Sequence, residues 1–198
     1  AKDAPNQIRE SLKKDDLPWR GEYIIPGSDW AGPYTNDELI ATWEDPVQAR
    51  QYLEESGRVT GYEVYFKRGN TSAPLPQEVG CLVVQYRTIE GAQRAVTEFT
   101  FASRNLDENW VSAEVTLSLG AVSNAEYLDK MDSGGNLNME YWVSTSHRNL
   151  LIECVGWGAK ANVTPEFVED LVQKMLAKVQ TAELSEPSQT LQGTTPAP

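Results

Sequence analysis

The stretch of residues 140–179 constrains the fold most, because it contains two adjoining strands and a helix with a well-defined start. Apolar residues predict strands over Tyr141–Ser144 and Leu150–Trp157, joined by a tight turn. The second strand is apolar on both faces, which is typical of a central strand. Thr164 is a suitable N-cap for a helix that runs to about Thr181 and carries an apolar stripe. A strand pair with a helix that must cover it predicts a layered domain.

Similar patterns fill the chain upstream of this stretch. Further strands are predicted at Arg58–Lys67, Glu78–Arg87 and Trp110–Leu119. Apolar and polar residues alternate most cleanly in the last of these, where the apolar residues at every second position are expected to face inward. Residues 120–138 follow a less regular pattern. Helix starts are predicted at Thr35, Asp45 and Thr88. Short connections between adjacent strands indicate antiparallel pairing. The sequence therefore predicts an α+β fold, with an antiparallel sheet of about 5–7 strands packed by helices.

Three regions differ in composition. Residues 1–34 are rich in proline and glycine and predict an extended N-terminal arm, residues 35–182 a single α+β domain, and residues 183–198 a Ser/Thr/Pro tail that is disordered or bound to a partner. The arm carries Trp19 and Trp30. Large aromatic side chains in such an arm either pack on its own domain or bind a partner protein, so these two tryptophans are the candidate partner-binding residues.

Charge and hydropathy exclude two classes of function. The formal net charge is −12, which argues against nucleic-acid binding because phosphate recognition needs clustered Lys and Arg. The sequence has no run of about 20 apolar residues that could span a membrane. Residues 1–5 contain no apolar signal core, so the protein is either cytosolic or has lost a signal. Few lysines and the Ser/Thr-rich tail favour an extracytoplasmic location.

The two cysteines, Cys81 and Cys154, both fall inside predicted strands. If these strands are neighbours a disulfide is possible, provided that the two Cβ atoms come within about 3.5–4.5 Å of each other. The alternative, two separate thiols packed as small apolar side chains, is slightly favoured because thiols in the middle of a strand are often part of the core.

Residues able to support catalysis are sparse. The single histidine, His147, falls in a predicted hairpin turn, where a solvated side chain is expected. The cysteines lack the spacing of a zinc site, and nucleotide-binding glycine motifs do not occur. Glu153 lies in the most apolar strand, so we expect a structural ion pair with Arg58, Arg87 or Lys67. The sequence thus predicts neither catalytic residues nor a cofactor.

One oxygen-rich segment could suit a calcium ion. Its candidate ligands are Asp132, Asn136 and Glu140, although their spacing does not fit the 12-residue EF-hand loop. The competing interpretation is an exposed polar turn, which the Gly-Gly pair between Asp132 and Asn136 favours.

Three motifs resemble an uncharacterised family of exported bacterial proteins, many of them lipoproteins. They are Gly57-Arg-Val-Thr-Gly-Tyr, Val84-Gln-Tyr-Arg-Thr-Ile-Glu-Gly-Ala and the hairpin of residues 141–158. The element order is also similar to the PsbP/Mog1-like α/β sandwich. This resemblance implies a binding or assembly factor, in some cases attached to a photosynthetic membrane complex.

Together these observations predict a non-enzymatic extracytoplasmic binding or assembly module. Its expected partner is a protein or a larger membrane-associated complex, for which it would be an accessory subunit. The alternative is a hydrolase that uses carboxylates near Glu153 on an extracellular substrate.

Overall fold

The structure is a computed structural model that describes residues 23–24, 31–43, 45–68, 74–98 and 109–185. The strands of this part of the chain are β1 (Tyr23–Ile24), β2 (Ala31–Tyr34), β3 (Arg58–Arg68), β4 (Glu78–Tyr86), β5 (Val111–Ala113), β6 (Ser123–Met131), β7 (Leu137–His147) and β8 (Leu150–Ala159). Its helices are α1 (Asn36–Thr42), α2 (Pro46–Ser56), α3 (Ile89–Thr97) and α4 (Pro165–Ser185), and a 3₁₀ turn covers Lys160–Asn162.

All described strands belong to one antiparallel sheet with the order β1-β3-β4-β8-β7-β6-β5. β2 pairs with the same edge of β3 as β1 does, so the sheet has eight strands. The predicted α+β class is confirmed. Within residues 1–34, predicted as an extended arm, Tyr23–Ile24 and Ala31–Tyr34 pair with β3, and α4 runs past residue 182 to Ser185.

The sheet consists of two parts, each continuous in sequence. β1 to β4 cover residues 23–86, and β5 to β8 cover residues 111–159. The β4–β8 ladder joins the parts, with eight directly opposed pairs from Glu78–Trp157 to Gln85–Leu150. We call this ladder the seam.

Helices pack on both faces of the sheet. α4 covers one face, called the α4 face, where its buried residues meet Val79, Val83 and Ile152. α3 covers part of the opposite face, called the α3 face, around Val84, Tyr86 and Leu151. Leu150 to Trp157 was predicted to be a central strand, and the structure confirms this, because β8 lies between β4 and β7 with core residues on both faces.

Local sequence signals explain where the helices begin and end. Thr35 and Glu38 form the reciprocal capping box of α1, and Asp45 accepts hydrogen bonds from the first amides of α2. Gly57 ends α2 with φ 67°, a conformation that glycine adopts at little cost. Thr164 Oγ1 accepts a hydrogen bond from the Phe167 amide at the start of α4 (3.3 Å).

The prediction of a strand over Trp110–Leu119 is largely wrong. Only Val111–Ala113 pairs, at the edge of the sheet, and Val111 and Leu117 are 44% and 38% exposed. β6, in the region predicted to be irregular, fills the place beside β7 instead. The reason lies in the backbone hydrogen bonds: the Thr116 and Leu117 amides donate to the carboxylate of Glu169 on α4. A backbone occupied in this way cannot continue the ladder.

Candidate functional site

The α3 face carries polar and aromatic side chains in three rows that run across the strands. The first row is Glu63, Leu82, Glu153, Ser144 and Asn124. The second is Tyr65, Gly80, Val155, Trp142 and Glu126. The third is Lys67, Glu78, Trp157, Glu140 and Leu128. Members of a row are directly opposed on neighbouring strands, and successive rows are two residues apart, so all three lie on one face of the sheet. We call this surface the aromatic–acidic face.

The rows begin where the apolar packing of α3 ends. Leu82 in the first row still packs against the buried cluster of α3, whereas the second and third rows lie further from that helix along the strands. Trp142, Trp157 and Tyr65 are half-buried. On the same face, Glu126 and Glu153 are only 4% and 5% exposed. The surface therefore combines half-buried aromatic side chains with buried carboxylates.

Hydrogen bonds fix several of these side chains. The Trp142 indole donates from Nε1 to Glu140 Oε1 (2.6 Å), which orients the ring along the surface. The Ser144 hydroxyl donates to Glu153 Oε2 (2.7 Å). A Cβ atom on Gly80 would lie 2.3 Å from the Tyr65 ring, so glycine at this position allows the phenol to lie across β4.

Electrostatics favour neutral or cationic groups at this surface. Burial is the main cause that raises the pKa of Glu63, and the Glu38 carboxylate adds to it, while Arg58 acts in the opposite direction. Burial also raises the pKa of Tyr65, with smaller contributions from Glu63 and Glu153. The carboxylates that act on Tyr65 would attract a cation that approached this surface.

Two of the three cations expected to pair with Glu153 have other partners. Arg58 is 3% exposed, and it donates to the Tyr34 carbonyl (2.6 Å) and to the Asn36 side chain. Its guanidinium lies 5.1 Å from the centre of the Tyr34 ring. Lys67 pairs with Glu78 (2.9 Å), and Arg87 is exposed. Arg58 therefore attaches β2 and α1 to the start of β3, although burial lowers its pKa.

Of the three candidate calcium ligands, Asp132 and Asn136 contact each other, and Glu140 lies apart from them. The Asp132 carboxylate accepts hydrogen bonds from the Gly134 and Asn136 amides and from the Asn136 side chain, which lower its pKa, with the Asn136 side chain the largest cause. Glu140 lies three residues along β7 from the Met131–Leu137 pair that closes this hairpin, about 10 Å away. Among the described residues, no group of three or more His, Cys, Asp or Glu side chains could hold a metal ion. Asp132 thus stabilises its own turn.

The remaining candidates are spread over the chain. His147 is the last residue of β7, opposite Leu150, and is half-buried. Trp19 and Trp30 lie outside the described residues. The hydrolase alternative stays a prediction: Glu63 and Glu153 share a row, but they lie two strands apart, about 10 Å between their Cα atoms.

Of the two alternatives for the cysteines, the structure contains the disulfide. Cys81 and Cys154 are directly opposed across the seam, with a Cα–Cα distance of 4.1 Å. They are 2% and 0% exposed and belong to the core under α4. The slightly favoured alternative, two separate buried thiols, is not what the structure contains, because β4 and β8 are neighbours and bring the two cysteines together.

Sequence reasoning missed most of the aromatic–acidic face. Tyr65 and Trp142 stand in predicted strands, yet nothing in either strand alone indicates that they share a row. The available signal was the alternation within each strand, which assigns faces, but the row also depends on the pairing register of strands distant in sequence.

Fold and site together define a class: an antiparallel α+β domain with a disulfide across its central ladder and a polar, aromatic sheet face. In fold alone, the chain is similar to the extracellular domain of PknH from Mycobacterium tuberculosis, with a TM-score of 0.57. That likeness covers 90% of this chain and 97% of the PknH chain at 13% sequence identity. No protein-family model matches the sequence, and no curated protein matches it. The resemblance to the PsbP/Mog1-like layout stays a prediction.

Proposed function

We propose that this protein is an extracytoplasmic, non-enzymatic binding module whose contact surface is the aromatic–acidic face. The observation that carries the proposal is the set of half-buried aromatic side chains of Tyr65, Trp142 and Trp157 on a rigid sheet. Tyrosine and tryptophan provide large contact areas at little cost in conformational entropy, and both are enriched at protein interfaces. A sheet also holds such side chains more firmly than a loop does.

Two observations support the location. The Cys81–Cys154 disulfide is of the kind that forms and persists in oxidising compartments outside the cytosol. The PknH domain that shares the fold is an extracellular domain. None of the described helices is long and apolar enough to cross a membrane.

The chemistry of the face favours a basic partner segment. Aromatic rings attract Lys and Arg side chains through their faces, and nearby carboxylates add to this attraction. Glu140 holds the Trp142 indole, so one ring and one carboxylate are already arranged side by side. We therefore propose a protein segment rich in Lys and Arg as the ligand, with the module acting as a binding or assembly factor.

A labelled octalysine peptide is a suitable probe, with binding measured by fluorescence anisotropy at low salt. The Glu140→Gln variant removes one charge but keeps an oxygen that can accept from Trp142. We expect it to weaken binding by about 2–5-fold, as for the loss of one partly screened ion pair. Added salt should weaken the binding of the wild type.

Glu166→Gln is the matched control, because it removes the same charge from an exposed position on α4, on the opposite side of the sheet. It should leave binding unchanged. Equal weakening by both variants would indicate attraction to the overall net charge, and absence of peptide binding by the wild type would refute the basic ligand.

A further inference from the structure

The disulfide lies at the middle of the only ladder that joins the two sequence-continuous parts of the described sheet. We infer that Cys81–Cys154 is a covalent crosslink of this seam, and that a reductant reaches it only when the pairs of β4 and β8 on either side of the bond open. The bond itself holds the two strands together at the cysteine pair, so it is shielded while the ladder is closed and becomes reactive when the flanking pairs are lost.

The position of the bond supports this inference. Three opposed pairs of the seam precede the cysteine pair and four follow it, counted from Glu78–Trp157 to Gln85–Leu150. Loss of one or two pairs at either end of the ladder therefore leaves at least one closed pair beside the cysteines. The pair two residues further along the ladder, Val83 and Ile152, is fully buried on the same face.

The core under α4 closes the remaining approach. Val168, Leu171 and Val172 are 0% exposed and belong to the same buried cluster as both cysteines. Thiolate exchange requires the attacking sulfur to contact one sulfur of the bond, so access limits the rate. Because both cysteines are at most 2% exposed, the closed structure gives a reagent no such contact.

The chemistry needs an external dithiol, for which dithiothreitol serves as the probe. One of its thiolates attacks a cysteine sulfur, the S–S bond breaks, and a mixed disulfide forms. The second thiol then closes a cyclic disulfide and releases the second cysteine. The reagent loses two electrons, and Cys81 and Cys154 gain two electrons and two protons as thiols.

Reduction of the folded protein can be followed by quenched alkylation and intact mass. We expect the folded protein to react about 100-fold more slowly than the same protein unfolded in urea, or slower still, because opening must precede attack. Urea below the unfolding transition should accelerate the reaction. Equal rates in the folded and unfolded states would overturn the inference, as would a rate that does not respond to urea.

Two matched variants separate opening of the seam from lifting of α4. Val83→Ala removes buried contacts on β4, opposite Ile152 across the seam, and Val179→Ala makes the same change on α4, which takes no part in the ladder. Both side chains are 0% exposed and face the α4 core. After correction for the measured loss of global stability, Val83→Ala should accelerate reduction more. Equal acceleration by both variants would assign access to α4 and refute opening of the seam.

Discussion

Tyr141 shows what a single buried group contributes. Its ring stacks on Tyr127, the residue is 2% exposed, and its hydroxyl group has no hydrogen-bond partner among the residues that the structure describes. Burial, and then the nearby Glu169 and Glu166 carboxylates, raise its pKa from 10.0 to about 12. The hydroxyl therefore contributes little at neutral pH, and its ionisation opposes folding at high pH.

We expect Tyr141→Phe to leave the free energy of unfolding at pH 7 unchanged or slightly higher, by up to about 1 kcal/mol. Because the pKa of Tyr141 is higher in the folded state, the neutral phenol favours the folded state. This contribution to the free energy of unfolding is fully present below pH 10 and is lost as the pH rises to about 12. The wild type should therefore lose more stability than the variant across that window. Urea denaturation at pH 7 and at several values above pH 10 measures the difference; parallel losses would contradict it.

At this scale the sequence predicts what depends on near neighbours. The capping pair of Thr35 and Glu38 and the left-handed Gly57 are readable because their partners lie within a few residues. The environments of Tyr141 and Arg58 are not readable, because they depend on residues from distant elements.

Among the elements, the connection from β5 to β6 is held by one carboxylate. Glu169 is 0% exposed and accepts hydrogen bonds from the Thr116 amide, the Thr116 hydroxyl and the Leu117 amide, at 2.7 to 3.2 Å. Beyond them, the Gly120 amide donates to Thr145 Oγ1 (2.8 Å), where the chain turns back towards β7. The connection is thus attached to α4 and to the sheet.

Glu169→Ala should lower the free energy of unfolding by about 3 kcal/mol, because it leaves two partly buried amides without their acceptor and removes packed atoms of a fully buried side chain. Glu169→Gln keeps one acceptor oxygen and should cost less. Glu166→Ala, on the exposed side of the same helix, should change stability by no more than about 0.5 kcal/mol. Urea denaturation of the three variants tests this, and equal losses for Glu169→Ala and Glu166→Ala would rule out the anchoring role.

The same carboxylate explains why the element prediction failed between residues 114 and 119. Apolar and polar residues alternate there as regularly as in any strand, so the pattern alone indicates a strand paired in the sheet. The deciding group is 52 or 53 residues away on a helix. By contrast, local patterns were sufficient to predict five elements, namely β3, β4, β7, β8 and α4. In each of them the apolar residues recur at regular spacing, and a turn or a helix cap marks an end.

For the whole molecule, the register of five strands creates the aromatic–acidic face. The faces of Glu63 and Glu153 follow from alternation, and the sequence places both in strands. Their alignment with Ser144 in one row requires the order β3-β4-β8-β7, in which β8 follows β4 across 63 intervening residues. Register between strands so distant cannot be read from local pattern.

The division of the sheet into residues 23–86 and 111–159 has a practical consequence. Two polypeptides separated at a cut between residues 98 and 109 would each retain a complete set of neighbouring strands. Made separately and mixed, they should reassociate into a one-to-one heterodimer, which size-exclusion chromatography and circular dichroism would detect. Air oxidation should then crosslink them through Cys81 and Cys154, and a pair that stays apart on the column would show that the unbroken chain is required to bring the parts together.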